Sequence, residues 1–164
     1  MKLELAPIGF IHSPHEQAEG TPIQPRYAET VDGTVEVFPA FAPGLRDLAG
    51  FDRIWLLFWC HRACPARLEV IPYLDTQPRG VFATRAPSRP NPIGLSCVRL
   101  LAIEGPILRV AGLDMLDGTP LMDIKPYVPD WDVFPADRVG WYAQAGGPRL
   151  ADGRFAQGTE PQPP

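Results

Sequence analysis

The chain has 164 residues, 45% of them hydrophobic, and a formal net charge of −4. This length and apolar content are enough for one domain with a real core and exclude a disordered chain. The apolar run at residues 54–60 is too short to span a membrane, and residues 1–11 lack the basic start and long apolar stretch of a signal peptide. The composition therefore favours a cytoplasmic protein with no membrane partner.

Short apolar runs rich in β-branched and aromatic residues dominate the chain. In order, they are IGFIH, TVEVF, RIWLLFWC, RLEVIPY, GVFAT, GLSCVRLLAI and ILRVAGLD. Turn signals such as Asp32-Gly33 and Gly105-Pro106 separate them, and 21 prolines and 15 glycines break up any long helix. This pattern is typical of an all-β sandwich or barrel, in which the last two runs form a hairpin around residues 104–106.

Three further segments complete the predicted architecture. The run at residues 53–60 is apolar on both faces, which predicts a central strand, and FAPGLRDLAG at residues 41–50 is the best short helix. From Gly146 the sequence is rich in Gly, Pro and Gln. We therefore predict one β domain over residues 1–145 and a weakly packed or disordered tail over residues 146–164.

The cysteines give little support for a metal or a disulfide framework. There are three, an odd number, and Cys60 and Cys64 flank His61 at a spacing that matches no common zinc pattern. We expect no metal, and we expect Cys60 and Cys97 to be small core residues.

The positive charges cluster in the middle of the chain. Residues 61–103 contain six arginines and no lysine, against only Glu69 and Asp75. Arginine in this number favours directed, bidentate contacts with phosphate or carboxylate groups. The alternative is a set of solvated arginines on strand faces.

The segment FATRAPSRPNPIGLS, residues 82–96, is unusually stiff for a connection. Its three prolines restrict their own φ angles and push the residues before them toward extended geometry. A loop of this kind loses little entropy on binding, so it could present Arg85, Ser88, Arg89 and Asn91 to a ligand. It could equally be a stiff connector without a ligand.

A second dense segment, LDGTPLMDIKPYVP, covers residues 116–129. Asp117-Gly118 predicts a turn, and Asp123, Lys125 and Tyr127 then follow at alternate positions. Alternate residues of an extended chain share one face, so these three side chains form either a polar site or an exposed strand face with a Lys–Asp pair.

No GxGxxG motif follows a strand, and the Walker, HExxH and GxSxG motifs are absent, which argues against a doubly wound nucleotide fold.

Together, GVFATRAPSRPNPIGLS and LDGTPLMDIKPYVP resemble the TrmO-type (TsaA-like) family of S-adenosylmethionine-dependent tRNA methyltransferases. The segments IGFIHSP, Pro22–Gln24 and GFDRIWLLFWCH fit the same family. The resemblance implies a compact β-barrel that binds S-adenosylmethionine near a homodimer interface. It also implies methylation of the exocyclic amine of a threonylcarbamoyl-modified adenosine beside the anticodon of tRNA.

The resemblance also implies roles for individual residues. By motif position, the cofactor contacts would be Pro22, Ile23, Gln24, His61, Arg62, Arg85, Cys97, Asp117, Gly118, Thr119 and Pro120. For the reaction, Asp117 or Asp123 could accept a proton, and Asn91 could accept a hydrogen bond from the amine. Tyr127 could stack on a base or sit beside the sulfonium. Arg89 and Lys125 would contact RNA.

The sequence departs from the family pattern at several points. Ile23 stands where an Arg is frequent, Arg62 stands where a Gln can occur, and a short tail stands where many members carry a further domain. These departures affect the substrate more than the cofactor. The alternatives are therefore a cofactor-binding barrel that methylates something other than tRNA, and a cofactor-binding sensor.

Overall fold

The computed structural model describes residues 4–156. Its strands are β1 Gly9–His12, β2 Asp32–Val37, β3 Arg53–Trp59, β4 Glu69–Val70, β5 Arg79–Gly80, β6 Ile93–Glu104, β7 Ile107–Ala111 and β8 Thr119–Pro126. The one α-helix of the described chain, α1, is Pro129–Asp132, and short 3-10 helices occur at Pro25–Tyr27, Ala42–Leu45, Leu48–Gly50, Val81–Ala83 and Gly140–Gln144.

Six of these strands close into an antiparallel barrel in the order β1-β2-β7-β6-β3-β8. In β3, buried residues alternate with half-buried ones, because Ile54, Leu56 and Phe58 point into the barrel and their neighbours point out. The interior is filled by aliphatic side chains from all six strands. The prediction of an all-β barrel is confirmed.

The stiff loop and the Asp117-Gly118 turn at the start of the second motif lie at the same end of the barrel, here called the site end. At this end β1, β3 and β7 finish and β2, β6 and β8 begin. The chain segments that lie there are residues 13–31, 60–92 and 112–118. Antiparallel closure therefore brings together segments that are far apart in the sequence.

The two predicted turns have different outcomes. Gly105 has a φ of +62° and joins β6 to β7, so the predicted hairpin is confirmed. Asp32-Gly33 is not a turn, because both residues belong to β2. Gly33 is needed there for close packing, since a Cβ atom would lie 2.3 Å from the carbonyl oxygen of His12 and 2.4 Å from a methyl group of Leu113.

The predicted helix at residues 41–50 is present only as two 3-10 turns. The break falls at Arg46 and Asp47, and Asp47 has a left-handed φ of 68°, which an α-helix does not accommodate. The run GVFAT, predicted as a strand, forms mainly a 3-10 turn after the short β4–β5 ribbon.

The first part of the predicted tail packs against the site end. The backbone of residues 149–151 exchanges hydrogen bonds with Gly20, Thr21 and Ile23. Phe155 is buried in a small second core with Val70, Val81 and Ala86. This packing differs from the weakly packed tail that we expected, because one aromatic anchor and a few backbone pairings outweigh the local Gly and Pro content. Residues 157–164, the rest of the predicted tail, lie outside the described residues.

No helix within residues 4–156 has the length and apolar character needed to cross a membrane.

Candidate active site

The site is centred on contacts between segments that are distant in the sequence. Arg85, in the stiff loop, donates from Nη1 to Oε1 of Gln24 at 2.7 Å. Gln24 immediately precedes the 3-10 turn at residues 25–27, and Ile23 before it is hydrogen bonded to the carbonyl of Arg149. The structure therefore brings the predicted Pro22–Gln24 segment and Arg85 together, and the C-terminal segment holds the first of them in place.

The Asp117–Pro120 turn lies at the same end. Gly118 has a φ of +70°, which only glycine adopts without strain, so the predicted turn is confirmed. The Asp117 carboxylate accepts from the backbone N–H of Ser13 at 3.1 Å and lies 3.5 Å from Nδ1 of His12. The buried Thr119 donates its hydroxyl to the carbonyl of Leu116 at 2.7 Å. These bonds tie the start of β8 to the loop that follows β1.

His61 and Arg62 directly follow β3 at this end. Burial and the neighbouring Arg62 charge lower the pKa of His61, so the imidazole is neutral at physiological pH. Arg62 donates from Nη1 to the carbonyl of Glu16 at 2.6 Å. Arg62 therefore ties the end of β3 to the loop between β1 and β2.

Arg89 shapes the stiff loop from within. Its Nη1 donates to the carbonyls of Val81, Thr84 and Ala86 at 3.0, 2.9 and 3.3 Å, and its guanidinium lies over the Phe82 ring. A guanidinium that satisfies three carbonyls fixes the loop conformation around Arg85. The RNA contact predicted for Arg89 stays a prediction. In the structure, the Arg89 guanidinium also stabilises the loop.

Asn91, in contrast, is exposed, and its side chain makes no hydrogen bond with any residue in 4–156. Its backbone carbonyl accepts from Ile93, at the start of β6. The amide is therefore free to meet a ligand at the site end.

Four predicted residues lie on the outer face of the barrel instead. Lys125 and Asp123 form an exposed ion pair with an N–O distance of 2.8 Å. Tyr127 packs edge-to-face on Trp55, with ring centroids 5.9 Å apart, and Trp55 pairs in register with Cys97. Cys97 is therefore not the core residue that we expected, because its position in β6 faces outward, whereas Cys60 does pack against the core. Within one chain these four are not brought to the Arg85–Gln24 pair.

Sequence reasoning missed Asp114. Ser96 donates its hydroxyl to Oδ1 of Asp114 at 2.6 Å, and burial of the carboxyl raises its pKa to about 7. Arg85 exerts a favourable Coulomb interaction on the same carboxylate. Asp114 looked like the polar end of the apolar run ILRVAGLD. The signal available in the sequence was its position, three residues before Asp117 and at the end of a strand.

Residues 4–156 contain no cluster of three or more His, Cys, Asp or Glu side chains suited to a metal ion. Burial raises the pKa of Cys60 to about 12, so this thiol stays protonated.

Comparison with known families decides the relationship of the chain. The model of the tRNA-methyltransferase O N-terminal domain matches residues 10–133. The chain belongs to this family.

The TrmO relatives include both archaeal and bacterial proteins. The chain is 54% identical over 135 residues to a probable S-adenosyl-L-methionine-binding protein of Pyrococcus abyssi, covering 82% of this chain and 73% of the relative. It is 36% identical to the tRNA (adenine(37)-N6)-methyltransferase of Escherichia coli, covering 84% of this chain and 63% of that protein.

A solved structure of a TrmO protein agrees in fold. The crystal structure of TrmO from Pseudomonas aeruginosa superposes with a TM-score of 0.73 at 40% identity, covering 86% of this chain and 63% of that one. The chain therefore spans somewhat less than two thirds of the length of both the TrmO structure and the Escherichia coli enzyme.

Proposed function

We propose that this chain is an S-adenosylmethionine-dependent methyltransferase that acts on N6 of an adenine in tRNA. The observation that carries the proposal is the hydrogen bond between Arg85 and Gln24 at the end of a TrmO-type barrel where the Asp117–Pro120 turn also lies. The names of the relatives support both the cofactor and the reaction.

The residues present fit S-adenosylmethionine by charge and hydrogen bonding. Arg85 is exposed, and within residues 4–156 its guanidinium has only Gln24 as a hydrogen-bond partner. Its remaining N–H groups can hold the amino-acid carboxylate of the cofactor. The Asp114 carboxyl group lies close enough to Arg85 for the two charges to interact.

S-adenosylmethionine supplies an activated methyl group, so the protein mainly has to position the two reactants. Arg85 and Gln24 would hold one end of the cofactor, and the Asp117–Pro120 turn would add backbone groups at the same end of the barrel. Arg89 keeps the stiff loop in one conformation, which lowers the entropy lost on binding. Asn91 can accept a hydrogen bond from the target amine.

The finer assignment of the substrate follows the family. We propose a threonylcarbamoyl-modified adenosine beside the anticodon as the methyl acceptor. The N6 atom of that nucleoside is conjugated both with the ring and with the carbamoyl group, so it is a weak nucleophile and needs an acceptor for its proton. With a tRNA substrate, we also propose that the protein acts in the cytoplasm.

We further propose that the active unit is a homodimer. Beyond the outward-facing pair Arg53 and Arg99, the outward positions toward the site end of β3 and β6 are apolar. They form an outer apolar face made of Trp55, Leu57, Trp59, Ile93, Leu95 and Cys97. Leu95 is 49% exposed and lies directly opposite Leu57. A second copy of the chain would cover this face.

Replacing Leu95 by Arg should convert the dimer to a monomer, because a charge would be buried in the centre of the apolar face. Light scattering at micromolar concentration should give twice the chain mass for the wild type and the single chain mass for the variant. Leu5→Arg, at an exposed residue outside the barrel, is the matched control and should stay dimeric. A monomeric wild type with full activity would exclude the dimer as the active unit.

The decisive test of function is nucleoside mass spectrometry of tRNA from cells with and without the gene, together with methyl transfer by the purified chain to that tRNA. We expect the methylated form of threonylcarbamoyladenosine to be lost with the gene and restored by the purified protein. An unchanged tRNA profile combined with tight cofactor binding would favour a different methyl acceptor, or a sensor.

A further inference from the structure

Asp114 differs from the other carboxylates of the two motifs in its surroundings. It follows β7 at the site end, and its Oδ1 accepts the Ser96 hydroxyl at 2.6 Å. Ser96 is 2% exposed and points into the barrel, so the pair bridges the core and the site-end loops. The residue keeps partial access to solvent, although protein surrounds its carboxyl group closely enough to desolvate it.

The two carboxylates that the sequence suggested are already occupied. Asp123 pairs with Lys125 on the outer face, away from Arg85. Asp117 accepts from the Ser13 backbone and lies beside His12, which gives it a role in holding the turn. For Asp114, Ser96 is the only other residue in the described chain that donates a hydrogen bond. Besides the residue's own backbone N–H, no other group in residues 4–156 donates a hydrogen bond to the second oxygen of this carboxyl.

We propose that Asp114 accepts the proton that the adenine N6 nitrogen loses during methyl transfer. This inference rests on the proposed function. In the step, the N6 lone pair forms the new N–C bond, the S–C bond breaks, and its electron pair stays on sulfur. The N6 proton passes to a carboxylate oxygen of Asp114, so charge and atoms balance without a further reactant.

The surroundings of Asp114 suit a proton acceptor at neutral pH. Burial raises its pKa to about 7, and the Ser96 hydrogen bond and the Arg85 charge both favour the ionised form. Other charged or titratable groups lie close by. Cys60, at the end of β3, stays protonated and interacts with both Asp114 and Arg89. The ring of His15 bonds the carbonyl of Leu113, and Asp117 lies on the same loop as Asp114. An acceptor is most effective when its pKa lies near the working pH.

The test compares Asp114→Asn with the wild type in methyl transfer to tRNA across pH 5.5–9. Asparagine keeps an oxygen for the Ser96 hydroxyl but cannot take the proton. We expect kcat to fall by about 10²- to 10⁴-fold, with cofactor affinity by calorimetry changed less than about threefold. The wild-type rate should rise with pH to a plateau above about 7, and the variant should lack this rise. Asp47→Asn is the control for removing a charge, because the Asp47 side chain is 90% exposed and lies at the opposite end of the barrel.

The Ser96→Ala variant and the pH dependence of folding stability test the role of Asp114 independently of Asp114→Asn activity. Ser96→Ala removes a bond that favours the ionised carboxylate, so it should move the rise of the rate to higher pH while preserving much of the plateau. Without any ligand, the native state should hold the Asp114 proton between about pH 4 and about 7, where the unfolded chain releases it. The stability of the wild type relative to Asp114→Asn should therefore fall as the pH rises through this range.

Two outcomes would overturn the inference while leaving the proposed function intact. One is a wild type that methylates tRNA together with an Asp114→Asn variant of the same rate and pH profile. The other is a variant whose entire defect is lost cofactor affinity, which would make Asp114 a binding residue. A wild type that transfers no methyl group to tRNA would overturn the proposed function, and the inference with it.

Discussion

Replacing Arg85 by Ala should weaken the binding of S-adenosylmethionine by about 10- to 150-fold. A hydrogen bond to a charged group contributes about 1.5–3 kcal/mol, and each 1.4 kcal/mol is tenfold in affinity. Arg85 is exposed at the site end, and its one described partner is Gln24, so the fold should survive the change. Isothermal titration calorimetry measures the affinity directly.

Arg46→Ala is the matched control for Arg85→Ala. Arg46 lies on the other end of the barrel with its side chain 88% exposed, 3.7 Å from Asp47. Its removal deletes the same charge without touching the site end. Gln24→Ala should give an intermediate loss, because Arg85 would keep its charge but lose the partner that orients it. Equal affinity in Arg85→Ala and the wild type would remove Arg85 from the cofactor site.

Replacing Gly9 by Ala should destabilise the fold by about 1–3 kcal/mol or more, the usual range for overpacking. A Cβ atom at Gly9 would lie 2.0 Å from the carbonyl oxygen of Glu36 in β2. The clash is with backbone, which cannot rotate away as a side chain can. Because β1 joins β2 to β8, pushing it aside would open the barrel. Thermal melting should show a decrease of several degrees in Tm.

Gly44→Ala provides the comparison for Gly9→Ala. No heavy atom lies within 4 Å of the Cβ position at Gly44, which is in a 3-10 turn outside the barrel. This substitution should change stability by less than about 0.5 kcal/mol. If the two alanine variants melted at the same temperature, the close approach of β1 and β2 would not be required for stability.

The sequence by itself determined the fold class and the ingredients of the site. Short runs rich in β-branched and aromatic residues favour strands, so most of the strands were predictable. The hairpin was predictable too, because Gly105 can adopt the positive φ that its turn requires. The segments at residues 82–96 and 116–129 identified Arg85 and the Asp117-Gly118 turn from the sequence, because prolines predict a stiff loop and Asp-Gly predicts a turn.

Only the tertiary structure decided which of these residues meet. Barrel closure pairs β1 with β8, and Gly9 with Leu121, which no local pattern specifies. In the closed barrel Asp114 contacts Ser96, and Cys97 and Asp123 lie on the outer face. The closed barrel also leaves no room for a side chain at Gly33, inside β2. Burial and proximity are properties of the packed chain. They set the pKa of a carboxyl group and the contacts of an arginine, and neither can be read from the amino-acid sequence alone.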